Sequence, residues 1–468
     1  MSTDTPPPPL MLSVSGARGL VGSTMTPAVA ARFVRGFGEE IRSLDRTSRP
    51  KLVIGRDGRA SGAELAEAAA RALSDSGCDI IDVGVAMTPT VGIMIRTLGA
   101  QGGIAITASH NPIEWNGIKC LDSDGLAPPP EIANRIIERF TSGWEPDAVN
   151  PDPGTITRED TGDRTHVDRV LNLVDVERIR SRGLSVVLDS VNASGCRGGR
   201  MLLEELGCTL EHLNGEQTGV FAHTPEPIEE NLTELARLVR INAAAACGFA
   251  QDPDADRLAI VDDRGRYIGE EYTLVLAAFR HLQANGPCPL VANLSTSRMI
   301  DDLAARFPGS TVHRTSVGEA NVVKGMREFN APLGGEGNGG VIASSIGWVR
   351  DSLVAMALTL ELIAVEERSL SSIVEELPRY EMIKQKIDLS ALGGREVIPD
   401  ALRRLVESHP PERVNSIDGV RIDLPEGWVH VRASNTEPIL RVISEAATRN
   451  EAERLAHDAS IAAGIPAG

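Results

Sequence analysis

Two hydrophobic periods alternate along the chain. Short β-branched runs, apolar at nearly every position, are separated by longer stretches in which apolar residues return every third or fourth position. KLVIGRD (51–57), CDIIDVG (78–84), GGIAITAS (102–109), LSVVLDS (184–190), AACGFAQD (245–252), PLVANLS (289–295) and STVHRTS (310–316) read as strands, and a further strand runs into APLGGEG. Helical spacing follows the N-cap and N1 pair Thr26-Pro27 into AVAARFVRGFGEEIR, and recurs over 61–77, near Thr88-Pro89, and over 197–206, 231–242, 297–306 and 319–329. Strands alternating with helices of this length predict three α/β blocks with largely parallel sheets, alike in pattern rather than in identity. In the last part of the chain the period changes to two. VNSIDGVRIDL, WVHVRAS and ILRVISEA alternate with turn residues between them, which predicts an α+β module with antiparallel strands. The expected divisions are 1–155, 156–263, 264–375 and 376–468.

Bulk properties narrow the partners. At 468 residues the chain is too long for one small core. A net charge of -18 argues against a nucleic-acid partner, which would need clustered Lys and Arg, but not against a phosphorylated small molecule, which needs only a few basic residues in one pocket. Cys78, Cys120, Cys196, Cys208, Cys247 and Cys288 show no C-x-x-C spacing and read as reduced core thiols of a cytoplasmic protein. MSTDTPPPPLML lacks the basic and apolar regions of a secretory signal, and its proline run reads as a disordered lead-in. No apolar stretch approaches the ~18 residues of a membrane span.

The sharpest chemical motif is GFAQDPDADRLAIVDDRG (248–265). Asp252, Asp254 and Asp256 stand two apart, so in an extended loop their carboxylates can converge on one point. Such groups raise one another's pKa unless a cation lies between them, and hard oxygen ligands suit Mg²⁺ rather than zinc. A solvated acidic turn is the plain alternative. A calcium-binding loop fails, because Arg257 stands where that loop needs glycine and the flanks read as strands.

GEGNGG (335–340) matches the dinucleotide fingerprint letter for letter. The residues after it, VIASSIGWVRDS, read as strand and turn rather than as the helix that fingerprint opens. It reads instead as a flexible loop presenting Glu336 and Asn338, groups that hydrogen-bond sugar hydroxyls, or as a plain glycine-rich turn. VRASNTEPILR (431–441) gathers Arg432, Ser434, Asn435 and Thr436 in a turn suited to an anion, with Arg441 beyond it; a polar Asx-type turn is the commoner fate of such a string. Arg18 in SGARG and Lys119 in WNGIKC are candidate basic partners, though most such residues are surface charges. In TASHNP (107–112), Ser109 and His110 are neighbours whose side chains point apart in an extended segment, and no G-x-S-x-G elbow is present. Ser109, Asp252 and Glu336 all end strand-like runs, where ligand sites gather in α/β sheets. A serine facing a metal and several cations points to phosphoryl chemistry.

GARG, GRDGRASG, TASHNP with NGIK, DPDADR, GGEGNGG and RASNTEP, in that order, resemble the α-D-phosphohexomutase family over nearly the whole chain. The resemblance implies four domains around a central cleft, three related α/β domains with mixed sheets and a C-terminal α+β phosphate-binding domain. It implies a phosphorylated Ser109, and one Mg²⁺ held by Asp252, Asp254 and Asp256 with a phosphoserine oxygen. Arg18, Lys119 and Arg257 would stand near the transferring group, Lys119 and then His110 being the candidates for proton handling. Glu336 would hold sugar hydroxyls, and Arg432, Ser434, Asn435 and Thr436 the phosphate that is not reacting. The implied reaction interconverts hexose 1-phosphate and 6-phosphate through a bisphosphorylated sugar, with hexose 1,6-bisphosphate as activator, in a monomer or homodimer without membrane contact.

The sugar loop departs from the G-E-x-S-G-H of many phosphoglucomutases and phosphomannomutases: Asn338 replaces the serine and Gly340 the histidine, so no role of that histidine is carried over. This loop is similar to that of archaeal-type members and their bacterial relatives, several of which are assigned to glucosamine phosphate. RTSVGEANVV (314–323) resembles the phosphoglucosamine mutases, whereas TASHNP and SNTEP lean toward glucose and mannose enzymes. Glucosamine phosphate is slightly favoured, with glucose or mannose phosphate next and a sugar-phosphate hydrolase as the more remote alternative.

Overall fold

A computed structural model describes residues 9–44, 49–145, 152–389, 394–434 and 439–466; Asn435 and Thr436 lie outside the described residues. The chain divides into two compact units, one of Met1–His281 with Gly339–Val374 and the other of Leu282–Asn338 with Glu375–Gly468.

The first unit opens with a seven-stranded sheet in the order Met11–Ser13, Gly16–Leu20, Trp115–Asp122, Gly102–Ile106, Lys51–Arg56, Asp79–Val85, Ile156–Arg158. Both faces are covered, which explains why its central strands are apolar at consecutive positions. Leu52, Ile54, Ile104 and Ile106 pack with Phe33, Phe37, Leu73 and Phe140 from the helices Pro27–Leu44, Gly62–Asp75 and Pro130–Thr141. Val53 and Ala105, one residue out of phase, pack on the other face with Val91, Met94 and Ile95 of helix Thr88–Thr97. Each buried Leu, Ile or Phe contributes about 1.5–3 kcal/mol, so the alternation sets the register firmly. The expected N-cap is formed, with Thr26 Oγ1 accepting from the Val29 N–H at 3.2 Å.

This sheet is mixed rather than largely parallel. Lys51–Arg56 is parallel to its two neighbours, but Gly102–Ile106 pairs antiparallel with Trp115–Asp122, which pairs antiparallel with Gly16–Leu20. The reason is the length of the connection. Residues 107–114 are too few for the crossover a parallel partner requires, so the chain returns as a hairpin. The next sheet, in the order Leu258–Asp262, Ala245–Gln251, Ser185–Asp189, Thr209–Leu213, repeats the arrangement, with residues 252–257 closing an antiparallel hairpin beside parallel strands. Helix Ser352–Glu366 completes this unit, its N-terminus capped by Asp351, which accepts from the N–H groups of Leu353 and Val354.

In the second unit, Pro289–Asn293 pairs parallel with Thr311–Thr315 and with Leu333–Glu336. A five-stranded antiparallel sheet, in the order Glu381–Asp388, Ile439–Ala446, Gly427–Ala433, Val420–Asp423, Val414–Asn415, supplies the expected C-terminal α+β module. Its core face, with Val420, Ile422, Val429, Val431, Leu440 and Val442, packs with Ala401 and Leu405 of helix Ile398–Glu407 and with Ala456 and Ala459 of helix Arg449–Ala463. Among the described residues no helix is long and apolar enough to cross a membrane.

Candidate active site

Two hairpin loops build the site in the first unit. Ser109 lies in the loop after Gly102–Ile106 and is 1% exposed. Its backbone has φ 51°, in the left-handed region that non-glycine residues seldom enter. The Ser109 N–H donates to Thr107 Oγ1 at 2.8 Å, and Ser109 Oγ donates to Asp252 Oδ2 at 2.9 Å. His110 is the looser neighbour, its Nδ1 3.4 Å from Ser109 Oγ.

The second loop carries the acids. Asp252, Asp254 and Asp256 are all buried, and one oxygen from each lies within 4.8 Å of the others. Ala255, with φ 52°, turns the chain between them, and Ser352 Oγ donates to the Ala255 carbonyl at 2.7 Å. Lys119 Nζ donates to Asp254 Oδ2 at 2.5 Å and to Asp256 Oδ2 at 3.1 Å. The Arg257 N–H donates to Asp252 Oδ1 at 3.2 Å, and its Nε stands 3.8 Å from Asp256 Oδ1. Arg18, opposite Gly117 in the adjoining strand, donates to Asn111 Oδ1 at 3.4 Å. Gly16 makes that pairing possible: it has φ +128°, and a Cβ there would come within 1.8 Å of the Ile118 carbonyl oxygen.

Two further groups were not legible in the sequence. Arg350 Nη2 donates to Asp256 Oδ2 at 2.7 Å, and Thr88 Oγ1 donates to Asp254 Oδ2 at 2.7 Å while the Thr88 N–H meets the Asp254 carbonyl at 2.9 Å. Neither sits in a pattern that marks it; both arrive by tertiary contact alone.

The charges are strongly coupled. Burial, reinforced by Asp254 and Asp256, pushes the Asp252 carboxyl well up. Burial also pushes the other two carboxyls up, but their cations more than offset it: Asp254 is held down chiefly by Lys119, and Asp256 by Arg350, Lys119 and Arg257. Burial lowers Lys119, and Asp254 and Asp256 reverse this, so its ammonium is held charged. Burial, with Arg257 and Arg18 nearby, pulls His110 down to about 2, which makes it a neutral ring at physiological pH.

The donor set fits a hard divalent cation. Asp254 Oδ1 and Asp256 Oδ1 are buried with no hydrogen-bond partner among the described residues. Buried carboxylate oxygens left in this state are costly unless a cation takes them, and three carboxylates without His or Cys suit an oxygen-preferring ion.

The second unit holds the remaining candidates. Glu336 ends the strand Leu333–Glu336, so it is not on a flexible loop; its Oε1 accepts from Asn293 Nδ2 at 2.8 Å and from the Gly318 N–H at 3.0 Å. Asn338 Oδ1 is buried without a partner among the described residues. The strand Gly340–Ala343 follows, with no helix opening from the glycines, which removes the dinucleotide reading. Arg432 belongs to the strand Gly427–Ala433; its Nε donates to Asp418 Oδ2 at 3.1 Å, and its Nη2 is buried without a partner among the described residues. Arg441 stands directly opposite Arg432 in the next strand, and the Ser434 N–H donates to the Ile439 carbonyl at 2.9 Å. Two guanidiniums directly opposite on one sheet face repel unless an anion lies between them.

Family models describing phosphoglucomutase/phosphomannomutase match the chain in four parts: the α/β/α domain I over residues 11–146, domain II over 164–265, domain III over 269–380 and the C-terminal domain over 385–462. The chain belongs to this family. A phosphoglucomutase/phosphomannomutase of Thermococcus kodakarensis is 38% identical over 93% of this chain and 94% of its own. A probable phosphoglucosamine mutase of Methanopyrus kandleri is 36% identical over 94% of this chain and 95% of its own. Among solved structures, a family protein from Burkholderia thailandensis superposes with a TM-score of 0.83 at 27% identity, covering 98% of this chain and 99% of that one. The protein is therefore a four-domain phosphohexomutase, an isomerase that acts by phosphoryl transfer.

Proposed function

We propose that this phosphohexomutase works through phosphoSer109 and one Mg²⁺, with glucosamine phosphate as the favoured substrate. The observation that carries the reading is the 2.9 Å contact of Ser109 Oγ with Asp252, inside a buried cluster of three carboxylates and the cations Lys119, Arg257 and Arg350. In the forward step the bond from phosphorus to Ser109 Oγ breaks as a bond to the free sugar hydroxyl forms. The hydroxyl proton leaves to a nearby base, and Ser109 regains a proton. The bisphosphorylated sugar then turns over and returns its other phosphate to Ser109, so a hexose 1,6-bisphosphate can prime an unphosphorylated chain.

Asp252, Asp254 and Asp256 would hold the ion together with a phosphoserine oxygen, and when bound it offsets charge on the transferring group. Arg18, Arg257 and Arg350 serve the same charge from the protein side, as expected for phosphoryl transfer. Lys119, its ammonium held charged, is the first candidate to return a proton to Ser109, and the neutral ring of His110 the weaker candidate to accept one from the sugar hydroxyl. Glu336 and Asn338 would take sugar hydroxyls, and Arg432 and Arg441 the phosphate that is not reacting. Glucosamine is supported by the naming of the Methanopyrus relative and by Asn338 and Gly340 in the sugar-binding stretch; the Thermococcus relative keeps glucose and mannose close behind.

A phosphorus NMR time course tests this reading. It uses Mg²⁺, a trace of hexose 1,6-bisphosphate, and the 1-phosphates of glucosamine, glucose and mannose in separate samples. A 6-phosphate should appear fastest from glucosamine 1-phosphate. A faster glucose or mannose reaction would transfer the preference, and free phosphate alone would mean a hydrolase.

A further inference from the structure

Within GRDGRASG, Arg59 has no part in the site described above, yet its side chain is fully buried and all its donors are engaged. Nε donates to Asp57 Oδ2 at 2.9 Å. Nη1 donates to the carbonyls of Pro112 at 2.6 Å and Trp115 at 3.0 Å, and Nη2 to those of Ser109 at 2.5 Å and Asn111 at 2.8 Å. One planar guanidinium therefore gathers three carbonyls of the loop that carries Ser109 and that of Trp115, the first residue of the strand that follows. Asp57 extends the grip from the other side. Its Oδ2 also accepts from Thr107 Oγ1 at 2.7 Å, and Thr107 Oγ1 in turn accepts the Ser109 N–H at 2.8 Å.

The open face of the guanidinium is covered as well. The Phe221 ring lies 4.8 Å from Arg59 Cζ, on a loop that approaches so closely that a Cβ on Gly219 would meet the Gly58 carbonyl oxygen at 2.0 Å. A buried cation with one carboxylate partner, spent otherwise on main-chain carbonyls, contributes little to a core that an apolar side chain could not also fill. What it supplies is a fixed geometry for a segment whose first residue, Ser109, stands at φ 51°.

We propose that Arg59 is a positioning residue for phosphoryl transfer: with Asp57 and Thr107 it clamps the serine loop and so fixes the direction in which Ser109 Oγ presents the phosphoryl group. The inference rests on reading Ser109 as the phosphoryl carrier. Lysine keeps the charge but has no planar fork and too few donors for these acceptors, so Arg59→Lys separates charge from geometry. Misplacement of the reacting atom by about 1 Å costs on the order of 10²-fold in rate.

The test measures kcat and KM separately for the wild type, Arg59→Lys and Arg59→Ala, with thermal melting as the folding control and a mass-spectrometric assay of the Ser109 peptide after treatment with glucose 1,6-bisphosphate. Arg59→Lys should still unfold in one cooperative transition, at a temperature below the wild type because buried carbonyls lose their donors, keep its KM within about twofold, and lose roughly ten- to hundredfold in kcat. Millimolar guanidinium should restore part of the kcat lost in Arg59→Ala, whereas methylammonium should not. Wild-type kcat in Arg59→Lys, with the label present on wild-type Ser109, overturns the inference alone. A wild type that mutates sugar phosphates without label on Ser109 overturns the phosphoserine reading, and this inference with it. If Arg59→Ala fails to fold, Phe221→Leu takes its place: it uncovers the guanidinium and should lower kcat without moving KM, and unchanged kcat counts against the clamp.

Discussion

Ser109 Oγ reaches Asp252 Oδ2 at 2.9 Å although 143 residues separate them along the chain. Both sit in hairpin loops at the ends of strands, one in each of the first two sheets, and the contact places the proposed phosphoryl carrier against its counter-charges. Parallel strands would have sent each loop into a helix across the sheet. The antiparallel return keeps each loop short and its side chains close together.

If Ser109 carries the phosphoryl group, Ser109→Ala removes the oxygen to which that group is bound. Turnover should fall by roughly 10³-fold or more, while the thermal melt stays close to the wild type, since the change deletes one hydroxyl. Phosphorus NMR of the mutase reaction checks it, and substantial remaining turnover would remove the phosphoserine mechanism.

Asp254→Asn keeps the shape of a side chain whose Oδ2 already meets Thr88 and Lys119, and takes a charge from the oxygen left without a partner. The Mg²⁺ concentration for half-maximal activity should rise by about tenfold or more. A wild-type enzyme indifferent to chelation would refute the metal site itself.

His430 ties stability to pH in the second unit. Its Nδ1 lies 2.9 Å from Ser295 Oγ and its Nε2 2.6 Å from the Asp418 carbonyl, a pair of contacts that a neutral ring satisfies. Burial pushes its pKa down to about 4; Asp418 opposes this, and Arg432 and Arg421 add to it. In the unfolded chain the ring titrates near ~6.5. Between these values only the unfolded chain binds the proton, so the contribution is fully present above the unfolded value and is lost as pH falls toward the folded one, by about 2 kcal/mol from pH 7 to pH 5. Denaturant titrations at those two pH values should show His430→Gln losing less stability than the wild type. Equal losses would assign the effect elsewhere; His212, lowered to about 4 by burial and Arg200, acts in the same direction in both proteins.

His166 joins Thr90 and Asp351 in the interior of the first unit. Thr90 Oγ1 stands 2.9 Å from Nδ1 and Asp351 Oδ2 2.7 Å from Nε2, and the ring is fully buried. His166→Ala removes both contacts and leaves a buried carboxylate short of one partner, at a cost of about 2–4 kcal/mol. Thermal and urea unfolding measure this directly; a variant within about 0.5 kcal/mol of the wild type would show that water replaces the ring without loss.

Local spacing decided much of this protein before any contact was known. The alternation of periods marked the helices Pro27–Leu44, Gly62–Asp75 and Glu319–Glu328 and the central strands, because burial on one or two faces writes its period directly into consecutive residues. Asp252, Asp254 and Asp256 were legible for the same reason, since residues two apart share a side in extended chain. What the spacing could not carry was the partner of each element. The direction of the strand after Ser109 depended on how many residues the loop contained, and the companions of the acids came from far away: Arg350 lies 94 residues from Asp256, and Thr88 lies 166 residues from Asp254. Arg59 reaches the Ser109 carbonyl across 50 residues. Contacts at such separations leave no periodic trace, because they form only when the whole sheet has closed and the burial of charge then selects which groups can meet.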